Sequence, residues 1–236
     1  MRLLGKNALV TGVSRGIGSE ITQQLIDRKC QLTGLSRTAP TTKFSHDAFS
    51  FQSIDFSVLN KLPEQLKTIH QKTGTLDILV CNAGYGRFGS LEEFSTAQIR
   101  EMIDVNLTSQ ILVAREFIPA MKLAGSGHII IMGSEAAVNG GKKGAIYSAT
   151  KFALRGFSQS IREECSTQGV AVTLVNPGMV KTSFFNDLNF APGDDQDCHL
   201  TASDVAKSVI DILQSRTGCC VDEINLSAQK KLIIKT

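Results

Sequence analysis

Hydrophobic and polar residues follow two alternating patterns along most of this chain. Short apolar runs predict buried strands at residues 7–11, 31–35, 49–54, 76–80, 128–132, 170–175 and 221–226. Between them, apolar residues at helical spacing predict helices ending near residue 28, then over 60–73, 95–124, 147–167 and 201–215. Strands that alternate with helices are typical of a parallel sheet covered on both faces. We therefore expect one α/β domain over residues 1–236, with a doubly wound, three-layer architecture of about seven strands.

One long segment breaks the alternation. Residues 183–199 mix phenylalanines with aspartates and show no clear period. A loop of this length in a compact domain is usually functional or disordered. We expect residues 183–200 to form a lid with an apolar inner wall, and the alternative is a mobile surface segment. The tail from residue 228 is short and basic.

Composition and charge exclude several classes of function. Apolar residues make up 42% and charged residues 20% of the chain, as in ordinary globular proteins. The net charge of +3 is spread without a basic stripe, so we expect no nucleic-acid partner. The N-terminal apolar run, residues 8–10, is too short for a signal peptide or membrane span, and we expect a cytoplasmic protein with no membrane partner.

The six cysteines are irregularly spaced and form no paired motif. A chain of this size does not need disulfide bonds for stability, and the spacing does not match a zinc site. We expect reduced thiols and no metal. The adjacent Cys219 and Cys220 are either a redox pair or small apolar residues beside a strand.

A glycine-rich turn, Gly12-Val13-Ser14-Arg15-Gly16-Ile17-Gly18, joins the first predicted strand to the first helix. Glycines let the backbone approach a pyrophosphate, and a helix N-terminus offers free N–H groups with partial positive charge. The spacing differs from the general Gly-x-Gly-x-x-Gly dinucleotide fingerprint. The turn therefore indicates a nucleotide site or, alternatively, only a tight turn.

The second predicted strand ends in Ser36 and Arg37, the latter nineteen residues after Gly18. An acidic residue here binds the ribose 2′-hydroxyl of NAD, whereas an arginine accommodates the 2′-phosphate of NADP. Arg15 in the turn is a second cation for that phosphate. The pattern favours NADP, unless Arg37 is merely a solvated loop residue.

Tyr147 and Lys151 are four residues apart at the start of a predicted helix, so they share one helical face. A fixed cation favours the anionic form of a nearby phenol, which would make Tyr147 a general acid. The spacing alone also fits a half-buried tyrosine beside a solvated lysine. Ser134 ends the fifth strand and can face Tyr147 across a flexible loop. Asn106, in mid-helix, is either a harmless polar position or the cause of a local kink at a site.

Together these motifs resemble the short-chain dehydrogenase/reductase family, in the family's order and over nearly the whole chain. The resemblance implies a Rossmann fold with a catalytic tetrad of Asn106, Ser134, Tyr147 and Lys151. By the same resemblance, NADP(H) contacts come from Gly12, Ser14, Arg15, Gly16, Ile17, Gly18, Ser36, Arg37, Asp55, Phe56, Asn82, Ala83, Gly84, Tyr147, Lys151, Pro177, Gly178, Val180 and Thr182.

The implied reaction is hydride transfer between the nicotinamide and a carbonyl or secondary alcohol of a small hydroxy acid, ketone or aldehyde. Tyr147 is expected to move the oxygen-bound proton, while Lys151 lowers its pKa and holds the nicotinamide ribose. Ser134 is expected to bind the substrate oxygen, and Asn106 to support a water chain to Lys151. Family members of this kind are homodimers or homotetramers.

The chain departs from the family pattern at Cys81, where asparagine is commonest, and at Gly133, where a second serine often stands. Its end lacks the Gly-Gly segment typical of the acyl-carrier-protein ketoreductases, which favours small substrates. A 3-oxoacyl thioester reductase, a non-catalytic dinucleotide-binding regulator and an epimerase or dehydratase are the alternatives.

Overall fold

The computed structural model describes residues 1–44 and 47–235. Its strands are β1 (Asn7–Thr11), β2 (Gln31–Ser36), β3 (Phe49–Ser53), β4 (Ile78–Cys81), β5 (Gly127–Met132), β6 (Val170–Pro177), β7 (Phe190–Pro192), β8 (Glu223–Leu226) and β9 (Ile233–Lys235). Its α-helices are α1 (Gly16–Asp27), α2 (Leu62–Thr73), α3 (Thr96–Ile103), α4 (Ser109–Ala124), α5 (Ala145–Ser166) and α6 (Ala202–Leu213).

Seven parallel strands form one sheet in the order β3-β2-β1-β4-β5-β6-β8. This confirms the predicted α/β fold and strand number. The strand order reverses between β1 and β4, and ligands of open α/β sheets bind outside the carboxyl ends of the strands at such a point. Most of the predicted site residues follow the carboxyl ends of these strands.

The alternating side chains of the buried strands divide the core into two clusters. Ala8 and Val10 of β1 pack with α1 and α6 on one face, whereas Leu9 packs with α2, α4 and α5 on the other. The isoleucines of β5 divide in the same way, with Ile130 facing the first cluster and Ile129 the second. Since burying an aliphatic side chain contributes about 1.5–3 kcal/mol, the two clusters hold the three layers together.

The helix predicted over residues 95–124 is interrupted. Ser95 and Gln98 form the expected capping box before α3, but a π-helical turn, Asp104–Thr108, separates α3 from α4. Asn106 lies in this turn, as expected for a residue that opens a local kink. Such turns place an extra residue on one side of a helix and are frequent at functional sites.

The long loop of residues 183–200 and the C-terminal tail each contain a short strand, and these two strands pair with each other. β7 lies within the loop, β9 lies within the tail, and the two form an antiparallel pair with Ala191 opposite Ile234. The sequence pattern indicated neither strand, because three-residue strands are too short to show a period. The role of residues 183–200 as a lid remains a prediction. None of the described helices has the length and apolar content needed to cross a membrane.

Candidate active site

Buried hydrogen bonds join the carboxyl ends of β1 and β4. Thr11 Oγ1 accepts the backbone N–H groups of Asn82 and Ala83, each at 2.9 Å. The side-chain amide of Asn82 donates back to Thr11 O at 2.9 Å and to Gly12 O at 3.3 Å. The predicted Asn82-Ala83-Gly84 motif therefore fixes the glycine-rich turn as well as bordering it.

Two positions of this turn require glycine, one for its backbone conformation and one for lack of space. Gly12 has a φ of +74°, in the left-handed region that strains residues with a Cβ. Gly18 is buried at the start of α1, and a Cβ there would overlap Gly12 O and the Asn82 amide. The close approach of α1 to β1 and β4 brings the helix N-terminus to the switch point of the sheet.

The predicted ribose-phosphate side contains two exposed arginines. Arg15 precedes α1 and Arg37 follows β2, and in the described part of the chain neither makes a salt bridge. Ser36 is buried and its hydroxyl donates to Thr38 O at 2.8 Å. Two guanidinium groups on the loops that follow β1 and β2 can receive a phosphate.

Asp55 and Phe56 occupy different environments after β3. Asp55 accepts the N–H and hydroxyl of Ser57 at 2.9 and 2.7 Å, and these bonds lower the pKa of its carboxyl. Phe56 is buried in the core cluster around α2, so its side chain is engaged in packing. Ser14 and Ile17 are half-buried in and beside the glycine-rich turn.

Three members of the predicted tetrad meet at the ends of β5 and α5. Ser134 lies two residues after β5, and its hydroxyl interacts with the phenol of Tyr147 on α5, which lowers the pKa of that phenol. Lys151 lies one turn further along α5, with its ammonium 5.8 Å from the centroid of the Tyr147 ring. The same ammonium donates to Met132 O at 2.9 Å, which fixes it against the end of β5.

The fourth member, Asn106, is completely buried. Its side-chain oxygen accepts the Tyr85 N–H at 2.9 Å, and its amide donates to Tyr85 O at 2.8 Å and weakly to Thr150 Oγ1 at 3.4 Å. The amide thus holds the segment after β4 against α5. The predicted water chain from Asn106 to Lys151 remains a prediction.

The expected lowering of the pKa of Tyr147 by Lys151 is wrong for this structure. Burial raises the pKa of Tyr147 to about 12, although its hydrogen bond with Ser134 acts in the opposite direction. Burial also lowers the pKa of Lys151 to about 8. Desolvation outweighs attraction here because the ammonium is directed at Met132 O and not at the phenol oxygen.

Phenylalanine rings cover the phenol. Phe88 lies 5.2 Å from the Tyr147 ring centroid and Phe184 lies 6.1 Å from it. Phe190 packs edge-on against Phe88 at 5.0 Å, and Phe185 contacts both Phe184 and Phe190 at 5.2 and 5.8 Å. We call Phe88, Phe184, Phe185 and Phe190 the aromatic cluster, and it places apolar side chains of residues 183–200 beside Tyr147.

The turn after β6 closes the site from the other side. Pro177 ends β6, and Gly178 N–H donates to Leu226 O of β8 at 2.7 Å. Val180 is buried and bridges to Leu200, and Thr182 Oγ1 accepts the Phe184 N–H at 3.2 Å. The turn therefore connects the predicted nicotinamide side to the lid.

Comparison with known proteins agrees with this geometry. The model of the short chain dehydrogenase family matches residues 6–192. The chain belongs to this family. A 3-oxoacyl-[acyl-carrier-protein] reductase, FabG, of Buchnera aphidicola is 31% identical over 193 residues, covering 80% of this chain and 79% of the relative.

Two further relatives span almost the whole of this short-chain dehydrogenase. An uncharacterized oxidoreductase of Staphylococcus saprophyticus is 31% identical over 234 residues, 96% of this chain and 98% of its own length. The solved structure of an alcohol dehydrogenase from Thermococcus sibiricus, complexed with 5-hydroxy-NADP, has a TM-score of 0.83 and 25% identity. That match covers 96% of this chain and 98% of the solved one. The chain is an oxidoreductase of this family with a nucleotide-binding fold.

Two residues of this dehydrogenase site, Phe88 and Asn176, have contacts that the sequence does not indicate. Phe88 contacts Tyr147 from the segment after β4, where no period marked it as part of a site. Asn176 lies next to the predicted Pro177-Gly178 turn, and its amide oxygen accepts the Ser134 N–H at 3.2 Å. A polar residue at the end of an otherwise apolar strand was the available signal for Asn176.

Proposed function

We propose that this protein is an NADP(H)-dependent oxidoreductase acting on a carbonyl or secondary alcohol of a small substrate. The supporting observation is the convergence of Ser134, Tyr147 and Lys151 at the carboxyl edge of the sheet, facing the turn that would hold the cofactor. A merely structural tyrosine and lysine have no need of a serine bonded to the phenol and an ammonium held by a strand end.

The residues present fit NADP(H). The glycine-rich turn leads into the N-terminus of α1, where partial positive charge favours an anion such as a pyrophosphate. Arg15 and Arg37 would hold the 2′-phosphate, and Lys151 would hold the nicotinamide ribose. When bound, the cofactor supplies or accepts the hydride. Support for NADP also comes from the NADP-type ligand in the Thermococcus sibiricus relative.

Three of the four tetrad side chains act in proton transfer to the substrate oxygen. The pKa of about 12 keeps Tyr147 protonated at neutral pH, so it can donate a proton as a carbonyl is reduced. Ser134 donates a hydrogen bond to the oxygen as negative charge develops. Lys151, with a pKa of about 8, is mainly protonated at pH 7, and its positive charge favours the phenolate left after proton transfer.

The aromatic cluster favours a substrate with an apolar group next to the reacting carbon. Phe88 and Phe184 contact the Tyr147 ring, Phe185 and Phe190 pack behind them, and none of the four supplies a partner for a charged group. A small ketone, aldehyde or hydroxy acid with an apolar side is the first candidate. A 3-oxoacyl thioester is the second, favoured by the 31% identity to the Buchnera aphidicola reductase. A cytoplasmic location and a homodimer or homotetramer complete the proposal.

Substitution of the phenol tests the chemistry. Tyr147→Phe should lower NADPH-dependent turnover at least about a thousandfold on the best substrate of a panel of ketones, hydroxy acids and acyl thioesters. Binding of NADPH, measured by fluorescence, should stay within about threefold. Tyr85→Phe is the matched control, since Tyr85 is the other tyrosine of the chain and its side chain interacts with Glu101. Near-wild-type turnover in Tyr147→Phe would contradict the proposed acid.

The cofactor preference has its own test. Arg37→Asp should weaken NADPH relative to NADH by about a hundredfold, because it replaces a phosphate partner with a group that repels phosphate. Arg28→Asp, at the end of α1 where its guanidinium donates to Gln24 O, is the control for a charge change. An unchanged ratio of the two affinities in Arg37→Asp would sink the assignment to NADP.

A further inference from the structure

Asn176 is a buried polar residue with every side-chain polar atom engaged. It is 1% exposed at the carboxyl end of β6. Its oxygen accepts the Ser134 N–H at 3.2 Å, and its amide donates to Glu223 Oε1 at 2.8 Å and Asn225 Oδ1 at 3.0 Å. Burying an amide is costly unless such bonds are made, so the arrangement fixes the rotamer of Asn176.

The strand end before Ser134 is shaped for this amide. Gly133 is buried, and a Cβ at this position would overlap the Asn176 side-chain oxygen. A serine at position 133 therefore does not fit beside Asn176 in this arrangement. Gly133 and Asn176 form a matched pair in which the missing side chain of one admits the amide of the other.

The contacts of Asn176 also reach the helix that carries Tyr147 and Lys151. Glu223 on β8 uses its second oxygen to accept from Arg155 Nε at 2.9 Å, and Arg155 lies one turn beyond Lys151 on α5. The chain of bonds runs from the Ser134 backbone through Asn176 and Glu223 to α5. It sets the distance between the serine hydroxyl and the helix that presents the phenol.

We propose that Asn176 is a positioning residue that acts through Ser134, holding its backbone so that the hydroxyl meets Tyr147 and the substrate oxygen. The proposal rests on the proposed function, because it needs Ser134 to contact the substrate. A displacement of about 1 Å at such a group can lower a rate by up to about a hundredfold. Truncation of Asn176 should therefore affect turnover more than cofactor binding.

A double-mutant cycle tests this role. Asn176→Ala should lower kcat about tenfold with NADPH affinity unchanged. The same substitution in a Ser134→Ala background should cause no further loss, since the group it positions is gone. Asn225→Ala, which removes one acceptor and leaves the Ser134 bond intact, is the matched control and should keep near-wild-type kcat. Losses that multiply across the cycle would overturn the proposal and assign Asn176 to general stability.

A rescue variant keeps the test valid if Asn176→Ala does not fold. Asn176→Asp combined with Glu223→Gln reverses the direction of one hydrogen bond and keeps an acceptor for the Ser134 N–H. We expect this double variant to recover most of kcat, and Asn176→Asp alone to remain impaired by two adjacent carboxylates. No recovery would overturn the proposal. Full activity in Ser134→Ala would contradict the proposed function itself, because Ser134 would then have no role in catalysis. That result differs from a failed rescue, and it would also remove the group that Asn176 is proposed to position.

Discussion

Two regions meet at the carboxyl edge of the sheet, and they are built from different contacts. The proposed cofactor side, around the glycine-rich turn, is fixed by hydrogen bonds between strand ends, such as those of the buried Thr11. The proposed substrate side, formed by residues 183–200 and the C-terminal tail, is fixed by aromatic contacts, three-residue strands and exposed ion pairs. Fixed hydrogen bonds suit a cofactor that is always the same molecule. Aromatic contacts and exposed ion pairs suit substrates that differ in shape.

The difference has an energetic basis. A buried hydrogen bond that loses one partner leaves a desolvated group, at a cost of about 1–3 kcal/mol. An exposed ion pair contributes about 0–1 kcal/mol, so its loss is nearly silent. We therefore expect single substitutions on the cofactor side to cause large losses of stability and binding, and single substitutions on the substrate side to cause small ones.

The largest effect is expected on the cofactor side from Gly18→Ala. The added methyl would overlap Gly12 O and the Asn82 amide, and backbone cannot move aside cheaply. We expect a loss of stability of about 3 kcal/mol or more, together with at least about a hundredfold weaker NADPH binding. Denaturant unfolding and cofactor fluorescence would measure the two quantities.

Gly156→Ala supplies the matched control for that substitution. Gly156 lies in α5 with no atom within 4 Å of its would-be Cβ, so alanine should stabilise the helix by about 0.5–1 kcal/mol. If Gly18→Ala is as harmless as Gly156→Ala, the turn is not the tightly fitted element described above.

The second-largest effect is a loss of folding stability at low pH, and it arises in the sheet that supports both regions. His128 is buried near the start of β5, and its Nε2 lies 2.8 Å from Thr173 Oγ1. Burial lowers the pKa of His128 from 6.5 to about 4. Between these values the unfolded chain takes up a proton that the folded chain refuses, so stability is full above pH 6.5 and falls as the pH drops toward 4.

The expected loss through His128 is at most roughly 3 kcal/mol. Chemical unfolding at a series of pH values should show it, and His128→Gln should reduce the slope between pH 6.5 and 4 by about one proton. Because both regions stand on this sheet, lid and cofactor signals should be lost together. Separate unfolding transitions for the two regions would contradict the expectation that both depend on the stability of this sheet.

The two regions were also unequally predictable. Period and turn chemistry are local properties, and they located the seven strands and the glycine-rich turn. The tetrad from Asn106 to Lys151 came from the family resemblance, and its catalytic roles remain predictions. The pairing of β7 with β9 depends on residues over forty positions apart in short segments, so no local period revealed it. The pKa of Tyr147 was predicted with the wrong sign, because the desolvation that raises it depends on how deeply the folded chain buries the phenol.

The third prediction concerns the lid. Removing residues 230–236 deletes β9 and the Lys230–Asp197 ion pair, of 2.6 Å, while leaving the seven-stranded sheet intact. Opening of the lid should become about tenfold more frequent, seen as faster proteolysis within residues 183–199. We expect kcat/KM to fall about tenfold and NADPH affinity to stay unchanged. A parallel loss of NADPH binding would show that the two regions are not separable.

The smallest effect should come from a single ion pair of the tail. Lys231 lies 3.1 Å from Glu135, with the two side chains 70% and 39% exposed, so Lys231→Ala should change stability by less than about 1 kcal/mol. Glu135 follows Ser134 and its charge already raises the pKa of Tyr147. Without Lys231 that carboxylate is unneutralised, the phenol becomes a weaker acid, and kcat should fall about twofold.

Lys6→Ala, which breaks the Lys6–Asp77 pair near the start of β1, should leave kcat unchanged and serves as the control. Equal effects of the two variants on kcat would mean that the tail affects the site only through general stability, and the electrostatic link from the substrate side to Tyr147 would be lost.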